Sequence, residues 1–282
     1  MHDHTPSKTA FRVAMRRAVH QLLDDPKVLD DPFALTILGN ETASELRATP
    51  EKFERLGTAN LRAFVAARSR FAEDQLALAV EQGVRQCVVL GAGLDTFAYR
   101  NPFQTLRVIE VDHPATQAWK RDLLASAGIA IPSSVSFVAV DFAKQSLEAE
   151  LARSAFCVTE PAFFSWLGVV PYLTRDAAFE TLRWIGSLPS GTEVVFDYAV
   201  ARSALSFLER TALDALSKRV ARAGEPFQLF FEPPEIAAAL RAAGFHHLED
   251  LGAAEINARY FSNRHDGLKI RSNLGHLISA RV

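Results

Sequence analysis

Three groups of residues in this chain have the types and spacing needed to hold a nucleoside: Gly91-Ala92-Gly93, Glu110-Val111-Asp112 and Asp141-Phe142. Two glycines one residue apart let the backbone approach a ligand closely, because neither carries a Cβ. A helix starting near Leu94 or Asp95 would aim its free N–H groups at polar parts of that ligand. Asp112 follows Gly91 by about 20 residues, the spacing at which nucleotide-binding folds place a carboxylate on ribose hydroxyls. Asp141 can accept an exocyclic amine, and Phe142 can line the plane of a base. The chemistry these residues suggest is the binding of a nucleoside-containing cofactor.

Such residues work only if strands and helices bring them together. Gln86–Leu90 is apolar without alternation, the pattern of a strand buried on both faces of a parallel sheet. Leu106–Val111 and Val135–Val140 read the same way and end in the two acids. Helical patterns fill the intervals, at about Pro114–Ala127 and Leu147–Arg153. Ala162–Leu167 is a further strand, Thr174 caps a helix to about Ser187, and Glu193–Tyr198 is the next strand. Alternating strands and helices indicate a mostly parallel α/β sheet. Pro233-Pro234 opens a helix through Ala243, and His246–Leu251 and Gly275–Ala280 suggest a late hairpin at one sheet edge. Residues 1–83 read as helical. Ser7 or Thr9 caps a first helix, Asp31-Pro32 starts a short one, and a long helical pattern, one bent helix or two, runs from about Pro50 to Gln82. The expected organisation is a helical cap over 1–83 on an α/β unit over 84–282, with a helical insert at about 199–232.

Composition narrows the function. The 282 residues are 49% hydrophobic and 23% charged, with a net charge of −2, as in an ordinary globular enzyme. The basic residues are interspersed with acids, which argues against a nucleic-acid partner. Arg12, Arg16 and Arg17 read as a solvated helix face. Cys87 and Cys157 are the only cysteines, so neither a metal site nor a disulfide framework is expected. The N-terminus lacks a signal-peptide pattern and no segment has the apolar length of a membrane span. The expected location is cytoplasmic.

The glycine turn itself separates cofactor classes. A dinucleotide fingerprint asks for a third glycine, where this chain has Thr96. A phosphate-free site with several carboxylates suits S-adenosylmethionine instead. Val88-Val-Leu-Gly-Ala-Gly-Leu-Asp-Thr-Phe-Ala-Tyr-Arg100 resembles the hallmark of the leucine carboxyl methyltransferase-like family, which includes bacterial polyketide O-methyltransferases. Ser7-Lys-Thr-Ala10, Asp31-Pro-Phe-Ala34 and Ala67-Arg-Ser-Arg-Phe71 match it before the turn. Glu110-Val-Asp-His-Pro114, Val140-Asp-Phe142, Trp166–Leu173 and Val195-Phe-Asp-Tyr198 match it after, in order. The resemblance implies a Rossmann-like class I methyltransferase sheet and S-adenosyl-L-methionine as cofactor, with a small-molecule carboxylate or hydroxyl as acceptor.

It also implies roles. Gly91 and Gly93 would approach the methionine part, Asp112 the ribose, and Asp141 and Phe142 the adenine. Arg68 would reach the cofactor carboxylate, with Lys8 assisting from the cap, and Trp166 belongs to the cofactor-facing motif. One position departs: Trp166-Leu167-Gly168 stands where many relatives have Trp-Glu-Gly, so a carboxylate facing the cofactor is missing there. No catalytic base is evident. Tyr172 and Tyr198 are the weak candidates, with His20, Asp197 and Tyr260 behind them. His113 and Asp95 read mainly as helix caps, and Phe227, Phe230 and Phe231 mainly as core. The rival functions are an NAD-type oxidoreductase and a non-catalytic cofactor-binding relative.

Overall fold

The structure, a computed structural model, describes residues 7–53, 56–141, 145–222 and 224–282; Phe142 lies outside them. Helix α1 (Lys8–Leu23) starts where Ser7 accepts the Ala10 N–H. A short α2 (Asn40–Ala48) follows, then the long α3 (Leu56–Glu81). Asp31-Pro32 opens a run of turns rather than a helix.

Strand β1 (Gln86–Leu90) is buried along its whole length. The helix expected at Leu94 begins later and is short: α4 spans Phe97–Arg100. Then come β2 (Arg107–Asp112), α5 (Pro114–Ser126), β3 (Val135–Ala139), α6 (Leu147–Leu151), β4 (Phe163–Trp166), α7 (Arg175–Gly186) and β5 (Glu193–Val200). Within the 199–232 segment, α8 spans Phe207–Arg222 and β6 is only Phe230–Phe231. The chain closes with α9 (Pro233–Ala242), β7 (His247–Leu251), α10 (Ala253–Tyr260) and β8 (Gly275–Arg281).

The sheet order is β3-β2-β1-β4-β5-β8-β7, with β6 paired to β5. Strands β1 to β6 pair in parallel, and β8 runs antiparallel between β5 and β7. The antiparallel edge is present, but α10 separates its two strands, so it is not a tight hairpin. The chain builds outward from β1 in one direction and from β4 in the other. The crevice between the carboxyl ends of β1 and β4 is therefore the topological switch point, where open α/β sheets bind ligands.

Two apolar cores sandwich the sheet. One takes residues from α1, α3, α5 and α10; the other takes residues from α6, α7 and α9, with Leu213 of α8. The first core continues through Ala14, Ala18, Ala67 and Phe71 into Val89 and Val195, so α1 and α3 pack directly on the sheet beside the switch point.

Candidate active site

A cavity of about 490 Å³ opens at that crevice. Its floor is the β1 end with Gly91–Asp95. Asp112, His113 and Asp141 close one side, and Arg68, Leu167, Gly168 and Tyr172 the other. Thr9, Ala10, Val13 and Arg17 of α1 and Glu225, Pro226 and Gln228 beyond α8 complete the wall. The sequence reading did not foresee Arg17 or Glu225 here.

The floor is fixed by short backbone links. The Gly91 and Ala92 N–H groups donate to the Val111 carbonyl at 2.8 and 3.1 Å. The Gly93 N–H donates to Asp112 Oδ2 at 2.5 Å, and the His113 N–H to Asp112 Oδ1 at 2.6 Å. Gly91 has φ +65° and Gly93 φ +47°, which an L side chain resists. A Cβ on Gly91 would lie 2.4 Å from Val169 Cγ2. Burial raises the pKa of Asp112, opposed by those two N–H donors and by Lys120.

Asp95 and Thr96 serve the floor from beneath. Arg17 of α1 donates to Asp95 Oδ2 at 2.9 Å and to the Leu94 carbonyl. Asp95 Oδ1 accepts the Phe97 N–H at 2.8 Å. The Thr96 hydroxyl donates to Asp31 Oδ2 at 2.6 Å, and Asp31 also faces Arg17 and Arg100, at 3.7 and 3.5 Å. Arg100 in turn pairs with Glu73 of α3, and Tyr99 donates to Glu110. Arg17 is thus buried in an ion-pair cluster, not on a solvated face; the i, i+7 spacing from Ala10 turns it inward. Arg16 is half-buried, and its guanidinium is pushed down to about 10 by burial and by Arg219, Arg12 and Arg68.

On the opposite wall, Arg68 donates to Asp197 Oδ2 at 3.1 Å, and Asp197 Oδ1 accepts the Gly168 N–H at 2.5 Å. A Cβ on Gly168 would sit 2.7 Å from the Arg68 guanidinium. The glycine of Trp-Leu-Gly therefore makes room for Arg68. Leu167 lines the cavity with an apolar side chain where the family pattern suggests an acid. Glu225 accepts from Ser7 Oγ at 3.0 Å and from the Thr9 N–H at 3.2 Å, which ties the segment after α8 to the start of α1. Both guanidiniums that line the cavity, Arg17 and Arg68, are already held by carboxylates. Arg17 is turned beneath the floor, while Arg68 keeps N–H donors beyond the one on Asp197; with the acceptors Asp112 and Asp141 it fits an adenosine bearing an amino-acid group.

The family model for leucine carboxyl methyltransferase matches residues 10–186. A Bacillus subtilis (strain 168) protein named "Putative S-adenosyl-L-methionine-dependent methyltransferase YktD" is 33% identical over 291 residues, covering 95% of each chain. The chain belongs to the leucine carboxyl methyltransferase family. It is an S-adenosylmethionine-dependent methyltransferase. Two crystal structures share its fold. A DUF574 family protein from Streptomyces avermitilis superposes with a TM-score of 0.54 at 20% identity, covering 95% of this chain and 96% of that one. A Thermobifida fusca YX protein superposes with a TM-score of 0.58 at 19% identity, covering 95% and 94%.

This methyltransferase brings Arg68, Gly91, Gly93, Asp112, Asp141 and Tyr172 to one cavity. It does not bring Trp166, Tyr198 or Lys8 there. Trp166 and Tyr198 are buried in the core on the far face of the sheet, because strand alternation turns them away from α3. The Tyr198 hydroxyl donates to Asp250 at 2.7 Å and lies 3.2 Å from His276. Lys8 is exposed. His20 is structural: its Nδ1 lies 2.6 Å from Asp24 and its Nε2 accepts the Val28 and Leu29 N–H groups. Tyr260 donates to Asp74, and Phe231 is core. His113 caps α5 and also lines the cavity. Among the described residues, no helix is long and apolar enough to cross a membrane.

Proposed function

We propose that the enzyme methylates an oxygen of a small-molecule acceptor, a carboxylate or a hydroxyl, with residues 1–83 and about 199–232 walling the acceptor side. When bound, S-adenosylmethionine supplies a methyl group on a cationic sulfonium, open to in-line attack by that oxygen.

The chain's own residues bind and orient. Each Asp112 oxygen already accepts one N–H and keeps capacity for a ribose hydroxyl. Asp141 takes the adenine amine. Arg68 spends one of its five N–H donors on Asp197 and turns others to the cofactor carboxylate; Asp197 orients it. Positioning of this kind supplies much of the acceleration for a displacement.

The observation that favours a carboxylate acceptor is the cavity lining, where His113 Nδ1 already accepts the Ala115 N–H at 3.3 Å and Tyr172 is half-buried. Burial pushes the Tyr172 hydroxyl up to about 12, helped by Asp197 and Glu225 and opposed by Arg68. It holds its proton at neutral pH and is a poor general base. A carboxylate acceptor is already ionised and needs none.

Calorimetry with S-adenosylhomocysteine tests the cofactor site: saturable binding is expected, and Asp112→Ala should abolish it. No binding at millimolar ligand would overturn the site. Mass-spectrometric screening of acids and phenols for a methyl gain tests the acceptor class; turnover of phenols alone would overturn the preference for a carboxylate.

A further inference from the structure

Six cations lie on α1 and at the end of α8, two elements joined where Glu225 accepts from Ser7 and Thr9. Lys8, Arg12 and Arg16 repeat at i, i+4 along α1, one stripe beside the face that lines the cavity. Lys218, Arg219 and Arg222 end α8, directly before the Gly224–Gln228 segment that completes the wall. None of the six has an ion-pair partner among the described residues, whereas neighbouring Arg17 and Arg68 are paired.

Arg16 is the centre of the group. Its Nη1 donates only to the Arg12 carbonyl at 2.8 Å. Its Nε is buried with no hydrogen-bond partner. The charges acting on it are Arg219, Arg12 and Arg68, together with Tyr172. Like charges drawn together around a buried, unsatisfied donor are costly, and an anion seated among them removes that cost. Arg68 and Tyr172 line the cavity while Arg12, Arg16 and Arg219 do not. An anion among these guanidiniums would sit beside the cavity rather than inside it.

We propose that Arg16, with Arg12 and Arg219, forms an anion-binding site at the cavity rim for a carboxylate or phosphate on the acceptor, distinct from the atom that is methylated. The site rests on reading the cavity as the methyl-transfer site. It makes the acceptor an amphiphile: an apolar body against Val13, Leu173 and Ala177, with an anionic group left at the mouth. Charges arranged this way also draw an acidic ligand toward the opening.

Calorimetry on the full chain, with and without S-adenosylhomocysteine, decides it, using citrate and inorganic pyrophosphate as separate probes. Saturable binding of at least one probe is expected, weakening with added salt. Preference between the two distinguishes a carboxylate from a phosphate site. Arg16→Gln and Arg219→Gln should each weaken it about tenfold, the loss of a charge-assisted hydrogen bond. Arg16→Lys should restore part of it. Arg202→Gln, which removes an exposed arginine paired with Asp214, should leave it unchanged, and all four variants should keep wild-type affinity for S-adenosylhomocysteine. No saturable binding of either probe, or equal affinity in Arg16→Gln, overturns the anion site. Failure of S-adenosylhomocysteine to bind the wild type would instead overturn the cofactor reading, and the probe titrations without it still decide the rim.

Discussion

Replacing Arg17 with methionine keeps most of the side-chain volume and removes the charge beneath the glycine turn. Arg17 is 4% exposed and Asp95 21%. After the change, Asp31 still accepts the Thr96 hydroxyl at 2.6 Å and faces Arg100 at 3.5 Å. Asp95 is left with the Phe97 N–H at 2.8 Å alone. Removing one partner of a buried pair costs about 3–5 kcal/mol. Because Asp95 keeps some access to water, the lower end, about 3 kcal/mol, is expected. Adding Asp95→Asn removes the stranded charge and should recover about 1–3 kcal/mol as a coupling energy.

The pH dependence gives a second signature. Burial pushes the Asp95 carboxyl up, but Arg17, Lys120, Arg100 and the Phe97 N–H together hold it below its ordinary value. In the native protein its contribution is therefore present above the unfolded-state pKa and lost as pH falls through the folded one. Without Arg17 the raising effect of burial is less opposed, and the folded pKa of Asp95 rises. The deficit of Arg17→Met should then be largest near neutral pH and shrink as pH falls and Asp95 takes a proton. Urea denaturation across pH measures both effects, and calorimetry with S-adenosylhomocysteine should show weaker binding because Leu94 and Asp95 line the cavity. A deficit under about 1 kcal/mol, the range of ordinary substitutions, or one that does not change with pH, would refute the reasoning.

Arg68→Met should lower affinity for S-adenosylhomocysteine at least tenfold, roughly the worth of one charge-assisted hydrogen bond; Arg68→Lys should recover only part, since a lysine lacks the planar fork. Gly91→Ala should cost about 1–2 kcal/mol from its left-handed backbone alone, plus the clash with Val169. Adding Val169→Ala should relieve the clash and leave the backbone cost, both read by denaturation. Tyr172→Phe should keep kcat within about threefold, because a general base would contribute a hundredfold or more; a larger loss, with a limb missing from the pH–rate profile, would make Tyr172 the base.

The glycine turn, the acids at the ends of β2 and β3 and the parallel sheet were legible because each rests on local rules: apolar runs, residues without Cβ, and acids at strand ends. The ordered motifs also disclosed the family. They did not disclose what Asp95, Thr96 and Arg100 do. Those side chains meet Arg17, Asp31 and Glu73, far off along the chain, and no local rule predicts such partners. Trp166 and Tyr198 belong to strands buried on both faces. Such strands carry no polar alternation to show which side faces the cavity, so only packing against α3 decided that they turn away. Asp197 and Gly168 likewise gained their meaning from Arg68. The sequence by itself determined the sheet, the glycine turn, the carboxylates and the methyl donor, because short-range backbone preferences and strand periodicity encode them. Tertiary structure alone decided how α1 is locked to the turn and which cations lack an ion-pair partner among the described residues, because burial and ion pairing depend on which distant segments meet.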